Sequence, residues 1–139
     1  MEQLTTVEYR FMINYGVHPI SGNSGPFVLV SLRGPNRMPV DVIAMIDSGA
    51  TKTGLPATLA RTLGINLTEG NQDTYRIGGV ENPAYIHHID IEFNGIVERC
   101  KVWFVESGLG QNLLGREDFF EKFQIGFNER LSEIYLLRY

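Results

Sequence analysis

The amino-acid sequence predicts an all-β, barrel-like domain with two short helices. Several stretches alternate apolar and polar residues with a period of two, and clusters of Gly, Pro, Asn and Ser separate them. Helical spacing is confined to two short segments. No repeat or low-complexity tract interrupts the pattern.

Residues 5–15 place Val7, Tyr9, Phe11, Ile13 and Tyr15 on one face and Thr6, Glu8, Arg10 and Asn14 on the other, as a half-buried strand requires. Residues 18–26 hold two prolines and a Gly/Ser cluster around Asn23, and read as a loop. Residues 27–32 and 40–46 are strands joined by the turn Gly34-Pro35-Asn36-Arg37. The segment 56–63 predicts a helix, with Pro56 suited to its first turn and Gly64 as its stop. Residues 75–93 predict a projecting hairpin whose tip holds Gly78-Gly79 and then Glu81-Asn82-Pro83. Its returning arm sets Ile89, Ile91 and Phe93 against His88, Asp90 and Glu92, and the next strand groups Cys100, Val102 and Phe104. Phe119, Phe120 and Phe123 recur at helical spacing and predict a second short helix over 116–123. Strand character returns at 132–139.

A chain of 139 residues is expected to form one domain with a real core. Twelve basic against 16 acidic residues leave a formal charge of −4, which provides no electrostatic footprint for nucleic acid or an anionic membrane surface. Cys100 is the only cysteine, so no internal disulfide forms and the cytosol is the expected compartment. The opening residues, Met1 to Thr6, have neither the basic nor the apolar segment of a signal peptide, and no stretch is long enough to span a bilayer as a helix.

The chemistry concentrates at Asp47-Ser48-Gly49-Ala50-Thr51. The apolar run Val42-Ile43-Ala44-Met45-Ile46 delivers a carboxylate directly into this small-residue turn, where burial must be offset by hydrogen bonds. Gly49 lets backbone and ligand approach the carboxylate closely. A second signal, Asn112-Leu113-Leu114-Gly115-Arg116, closes one strand-like run and opens the second helical segment.

These two motifs, with Ile77-Gly78-Gly79-Val80 between them, resemble the retropepsins, the single-domain aspartic peptidases of retroviruses and their cellular and bacterial relatives. The likeness covers roughly residues 27–127, a domain-sized span, and the motif order is the family's. It implies a closed barrel with a flap hairpin, Asp47 as the catalytic acid and base, and a polypeptide substrate. Ser48 would hold two catalytic loops in register across a dimer axis, and Ala50 would line a subsite. Ile77, Gly78, Gly79 and Val80 would close over substrate, while Leu113 and Leu114 would pack on the catalytic loop and line the pocket. Hydrophobic side chains beside the scissile bond are the preference this implies. One position departs from the pattern: many retroviral members carry an Asp two residues after the catalytic glycine, paired with the Arg of the second motif. Here that position is Thr51, which leaves the partner of Arg116 open.

One carboxylate can act as a base but cannot also protonate a leaving amine. No second Asp-Ser-Gly or Asp-Thr-Gly exists in the chain, so the partner acid must come from a second copy, and a homodimer is expected. Two carboxyls meeting on the axis would share a proton. No metal or cofactor is required. His88, Asp90 and Glu92 read as a solvated strand face rather than metal ligands, Cys100 as a core residue and Asp118 as a solvated helix residue. The alternative reading is a catalytically silent retropepsin-fold module that dimerises or binds peptides; retention of Asp47, whose burial is costly, favours the enzyme.

Overall fold

In the computed structural model, which describes residues 2–3 and 5–139, a six-stranded barrel carries a hairpin on one side and a small sheet beneath. Strands β1 (Phe11–Asn14), β2 (Gly16–Val17), β3 (Ser24–Gly25), β4 (Phe27–Arg33) and β5 (Val40–Ile46) come first. Then follow β6 (Gly54–Pro56), helix α1 (Thr58–Thr62), β7 (Asn71–Ile77), β8 (Val80–Phe93) and β9 (Ile96–Val105). The chain ends with β10 (Asn112–Leu114), β11 (Phe123–Asn128) and β12 (Glu133–Arg138). The large sheet runs β4-β5-β10-β6-β9-β8-β7, and a further β4–β8 pairing closes its first six strands into the barrel.

Period-two alternation becomes burial. On β8, Ile89, Ile91 and Phe93 point inward, and on β9 Cys100, Val102 and Phe104 join them in the main core with Leu32, Ile46, Leu55 and Leu114. Burial pushes the Cys100 thiol up to about 12, so it stays protonated as a small apolar filler. The opposite face of β9 is buried as well: Trp103 and Val105 form a second, smaller core with Tyr75 and Ala84. The alternation on β9 shows only its first face, because a strand covered on both sides has no polar face to reveal it. On β8 the outward carboxylates meet arginines, Glu92 with Arg33 at 2.7 Å and Asp90 with Arg99 at 3.3 Å.

The strand over 5–15 is shorter than its pattern. Only Phe11–Asn14 pair with β12, although burial alternates from Val7 onward. β12 in turn pairs with β11, so the first and last strands meet within one chain, and β1 and β11 are the edges of that sheet. The 18–26 loop is flanked by a two-residue ladder, Gly16–Gly25 and Val17–Ser24.

The first expected helix forms with a later start, and the second is not a regular helix. Pro56 ends β6, beside Val105 of β9, and the helix begins only at Thr58. A proline fits a strand end as readily as a first helical turn, and pairing with β9 decides between them. Residues 116–120 make a kinked turn: Glu117 is extended (ψ 124°) and Asp118 left-handed (φ 69°). The kink still delivers Phe119 and Phe123 against Phe93, with ring centroids 5.3–5.7 Å apart, because aromatic burial tolerates several backbone paths.

Asp118 is not a solvated helix residue. Its carboxylate accepts the Lys101 N–H at 2.6 Å and a bond from Lys122 Nζ at 2.6 Å. Burial raises its pKa, but the Lys122 bond and the Lys101 N–H outweigh that and hold the carboxyl below its ordinary value. A depressed folded-state pKa means stabilisation present at neutral pH and lost as pH falls through the folded value. Asp118→Asn is therefore expected to cost about 1 kcal/mol or more at pH 7. In urea melts the gap to wild type should shrink steadily below about pH 4.

Candidate active site

Asp47 follows the last residue of β5, where the chain leaves the barrel. Its N–H donates to Leu114 O at 3.0 Å, so β10 anchors it from the side. Gly49 N–H donates to Asp47 Oδ1 at 2.8 Å, and Ala50 N–H to Asp47 O at 3.2 Å, which folds the loop into a tight turn that orients the half-buried carboxylate. A Cβ on Gly49 would lie 3.1 Å from the same Oδ1. Ser48 is exposed at the apex.

The second motif braces the first. β10 runs parallel to β5 and antiparallel to β6, so it holds both strands that flank the loop over 47–53. Beyond it, Gly115 N–H donates to the buried Thr53 Oγ1 (3.0 Å), Arg116 N–H to Ala50 O (2.9 Å) and Glu117 N–H to Thr51 O (2.7 Å). Gly115 allows this closeness: a Cβ there would lie 2.5 Å from the Lys52 carbonyl carbon and oxygen. Arg116 Nη2 donates to Thr51 Oγ1 at 3.2 Å, which identifies its partner. A neutral hydroxyl thus stands where many retroviral members have a carboxylate.

Asp47 opens into a groove of about 880 Å³. Gly49, Ala50 and Thr51 line it beside the carboxylate, the 74–77 arm and Glu81 of the hairpin form one wall, and Leu109, Gln111 and Leu113 lie on another side. Apolar Ile77, Leu109 and Leu113 rest on the smaller core, and so the groove has a firm hydrophobic bed next to an acid. A narrower cleft of about 200 Å³, which includes Ile20 and Ile43, shares His18, Leu109, Gly110 and Gln111 with the main groove. Among the described residues no cluster of His, Cys, Asp and Glu is placed to hold a metal ion, and no helix is long and apolar enough to cross a membrane.

The family model described as "gag-polyprotein putative aspartyl protease" matches residues 38–122, which include the Asp47 loop, the hairpin and β10. The chain belongs to this family. Its structure is similar to a retropepsin-like aspartic protease from Rickettsia conorii, with a TM-score of 0.64, 18% identity, and 94% of this chain and 96% of that one covered. It is also similar to the retroviral protease-like domain of Ddi1 from Leishmania major, with a TM-score of 0.53, 15% identity, and 81% and 94% covered. At these identities the likeness is one of fold, and the fold is retropepsin-like. No curated protein matches the sequence.

Within this retropepsin-like frame, Asp47, Gly49, Ala50, Ile77 and Leu113 come together at the groove. Leu114 does not: its side chain is fully enclosed in the main core, and it serves the site through its carbonyl. Neighbours on a strand face opposite ways, so only one of the two leucines can face the groove. Gly78, Gly79 and Val80 form the hairpin tip, outside the lining of the groove in the single chain. The turn is tighter than the sequence suggests, since Ile77 pairs with Val80 and Glu81-Asn82-Pro83 belong to β8. Positive φ at both Gly78 (55°) and Gly79 (81°) fits a two-residue primed turn.

Sequence reasoning missed Lys52, Thr74, Tyr75, Arg76, Leu109 and Gln111, all of which line the groove. Tyr75 and Arg76 lie directly before the Ile-Gly-Gly-Val tip, and that adjacency was the available signal. Leu109 and Gln111 sit in a segment without a motif of its own. Gly115→Ala should force the two motifs apart and destabilise the fold by about 1–3 kcal/mol, read as a lower denaturant midpoint without a change in m-value.

Proposed function

We propose that this protein is an aspartic endopeptidase that works as a two-fold homodimer, each chain supplying one Asp47. The observation that carries the reading is a lone Asp47 on a tightly braced loop, opening into a peptide-sized groove walled by a glycine-tipped hairpin. Membership of the aspartyl protease family supports it.

In the proposed dyad one carboxylate is ionised and the other protonated. The ionised one takes a proton from a bound water, whose oxygen attacks the scissile carbonyl carbon. The protonated carboxyl donates to the carbonyl oxygen, giving a neutral tetrahedral gem-diol. On collapse the C–N bond breaks, a carboxyl delivers a proton to the departing nitrogen, and the second gem-diol proton returns to the dyad. Ser48, exposed at the loop apex, is suited to hold the two loops together. The apolar bed of Ile77, Leu109 and Leu113 suits hydrophobic side chains beside the scissile bond. The hairpin tip would close over the peptide and exclude water.

Purified protein incubated with a diverse peptide mixture should release fragments. Asp47→Asn should lower that rate by roughly a thousand-fold or more while retaining the wild-type circular dichroism spectrum. Cleavage by the variant at a comparable rate would overturn the mechanism. Peptide binding without cleavage by wild-type protein would establish the silent binding module instead.

Activity should be bell-shaped in pH, because the reactive pair carries one proton and is lost when both or neither carboxyl is protonated. Chelators should leave it unchanged. Specific activity should also fall on dilution, as the dimer dissociates. A rate strictly proportional to concentration across a range where sedimentation shows only monomer would exclude the shared dyad.

A further inference from the structure

Lys52 joins the Asp47 loop to the base of the hairpin through both its backbone and its side chain. Its carbonyl accepts the Tyr75 hydroxyl at 2.9 Å. Its ammonium donates to Thr74 O at 3.1 Å and approaches Asp73 Oδ2 at 3.4 Å. Asp73 is itself held, since Oδ2 accepts Trp103 Nε1 at 2.9 Å. That bond, followed by the Thr74 backbone N–H, keeps the carboxyl below its ordinary pKa, so it remains a charged anchor. The Lys52 ammonium also lies 5.2 Å from the centre of the Trp103 ring.

Tyr75 is almost fully buried, with its ring over Gly54, where a Cβ would lie 2.7 Å from Cζ. Burial, and then the Asp47 charge, push its hydroxyl up to about 12, so it donates throughout the range in which carboxyls titrate. The Lys52 carbonyl is thereby held between Tyr75 on one side and Gly115 on the other. Three parts of the molecule meet there: the Asp47 loop, the β10 brace and the hairpin. Beyond Tyr75, β7 has only two further residues before the glycine tip.

We propose that Lys52, Asp73 and Tyr75 are positioning residues, forming a clasp that sets the hairpin's pivot at 73–75 and couples it to the Asp47 loop. Tip movement then acts on the loop through one hydrogen-bonded joint, so closure over a substrate and orientation of Asp47 are linked. The catalytic consequence rests on the peptidase reading; the mechanical coupling does not.

Tyr75→Phe removes the hydroxyl and keeps the ring. Lys52→Met removes the ammonium and keeps the carbonyl, at a partly exposed side chain, and Lys52→Arg restores donors. In protein without ligand, amide exchange over 47–53 and over 73–82 should accelerate together by roughly five-fold in Tyr75→Phe and Lys52→Met, and stay near wild type in Lys52→Arg. With a peptide that the wild type cleaves, kcat should fall by a similar factor while KM stays within about two-fold. Exchange that quickens in the hairpin alone, or in neither segment, overturns the clasp. Coupled exchange with unchanged kcat overturns its positioning role. Coupled exchange in a wild type that cleaves no peptide upholds the joint and removes the peptidase reading.

Discussion

The site depends on a strand of three residues. β10 lies between β5 and β6, parallel to one and antiparallel to the other, so its backbone ties together the strands at both ends of the Asp47 loop. Four hydrogen bonds continue that tie through the loop, from Asp47 N–H to Leu114 O and from Gly115, Arg116 and Glu117 N–H to Thr53, Ala50 and Thr51. The proposed catalysis requires that the carboxylate not sit on a loop that wanders. The fold meets this requirement with three main-chain bonds, which survive most changes of side chain, and one bond to the Thr53 hydroxyl. The positions where the side chain matters are therefore Thr53, which supplies that acceptor, and Gly115, whose missing Cβ lets the two segments touch.

The hairpin depends on a different interaction. It leaves the barrel from β8, and its inner face rests on the small core of Tyr75, Ala84, Trp103 and Val105. That core gives the groove its apolar bed, and through the Tyr75 hydroxyl it reaches the loop carrying Asp47. One cluster therefore supports a wall and bears on the orientation of the acid. The tip beyond it has two glycines with positive φ and no neighbour within 4 Å of an added Cβ at either. Tightness at the base and open space at the tip suit an element that pivots.

Thr51 and Asp118 make the polar contacts that flank this frame. A hydroxyl at Thr51 meets Arg116 with a single neutral acceptor at an exposed position, so this contact contributes geometry more than electrostatic energy. A partly buried ion pair lies a few residues further on, between Asp118 and Lys122, with the Lys101 N–H completing the carboxylate's partners. Left-handed backbone at Asp118 aims that carboxylate back at β9. The segment after the second motif is thus fastened by a side chain that helical spacing would have placed in solvent.

Local information in the sequence determined the barrel's strands other than β6, the hairpin with its glycine tip, the acid at the end of β5 and the buried phenylalanines. Each is written in neighbouring residues, as a period of two, a pair of glycines, or a carboxylate after five apolar positions. Tertiary structure alone decided that Pro56 ends a strand, that residues 116–120 kink, that Leu114 faces the core while Leu113 faces the groove, and that Trp103 is buried on a second face of β9. It also decided that Arg116 meets Thr51, and that Lys52, Asp73 and Tyr75 converge although 23 positions separate the ends of one of their bonds. The reason is physical. Periodicity reports which face of an element is apolar, whereas partners across a barrel are chosen by register and closure, which no single stretch of sequence contains.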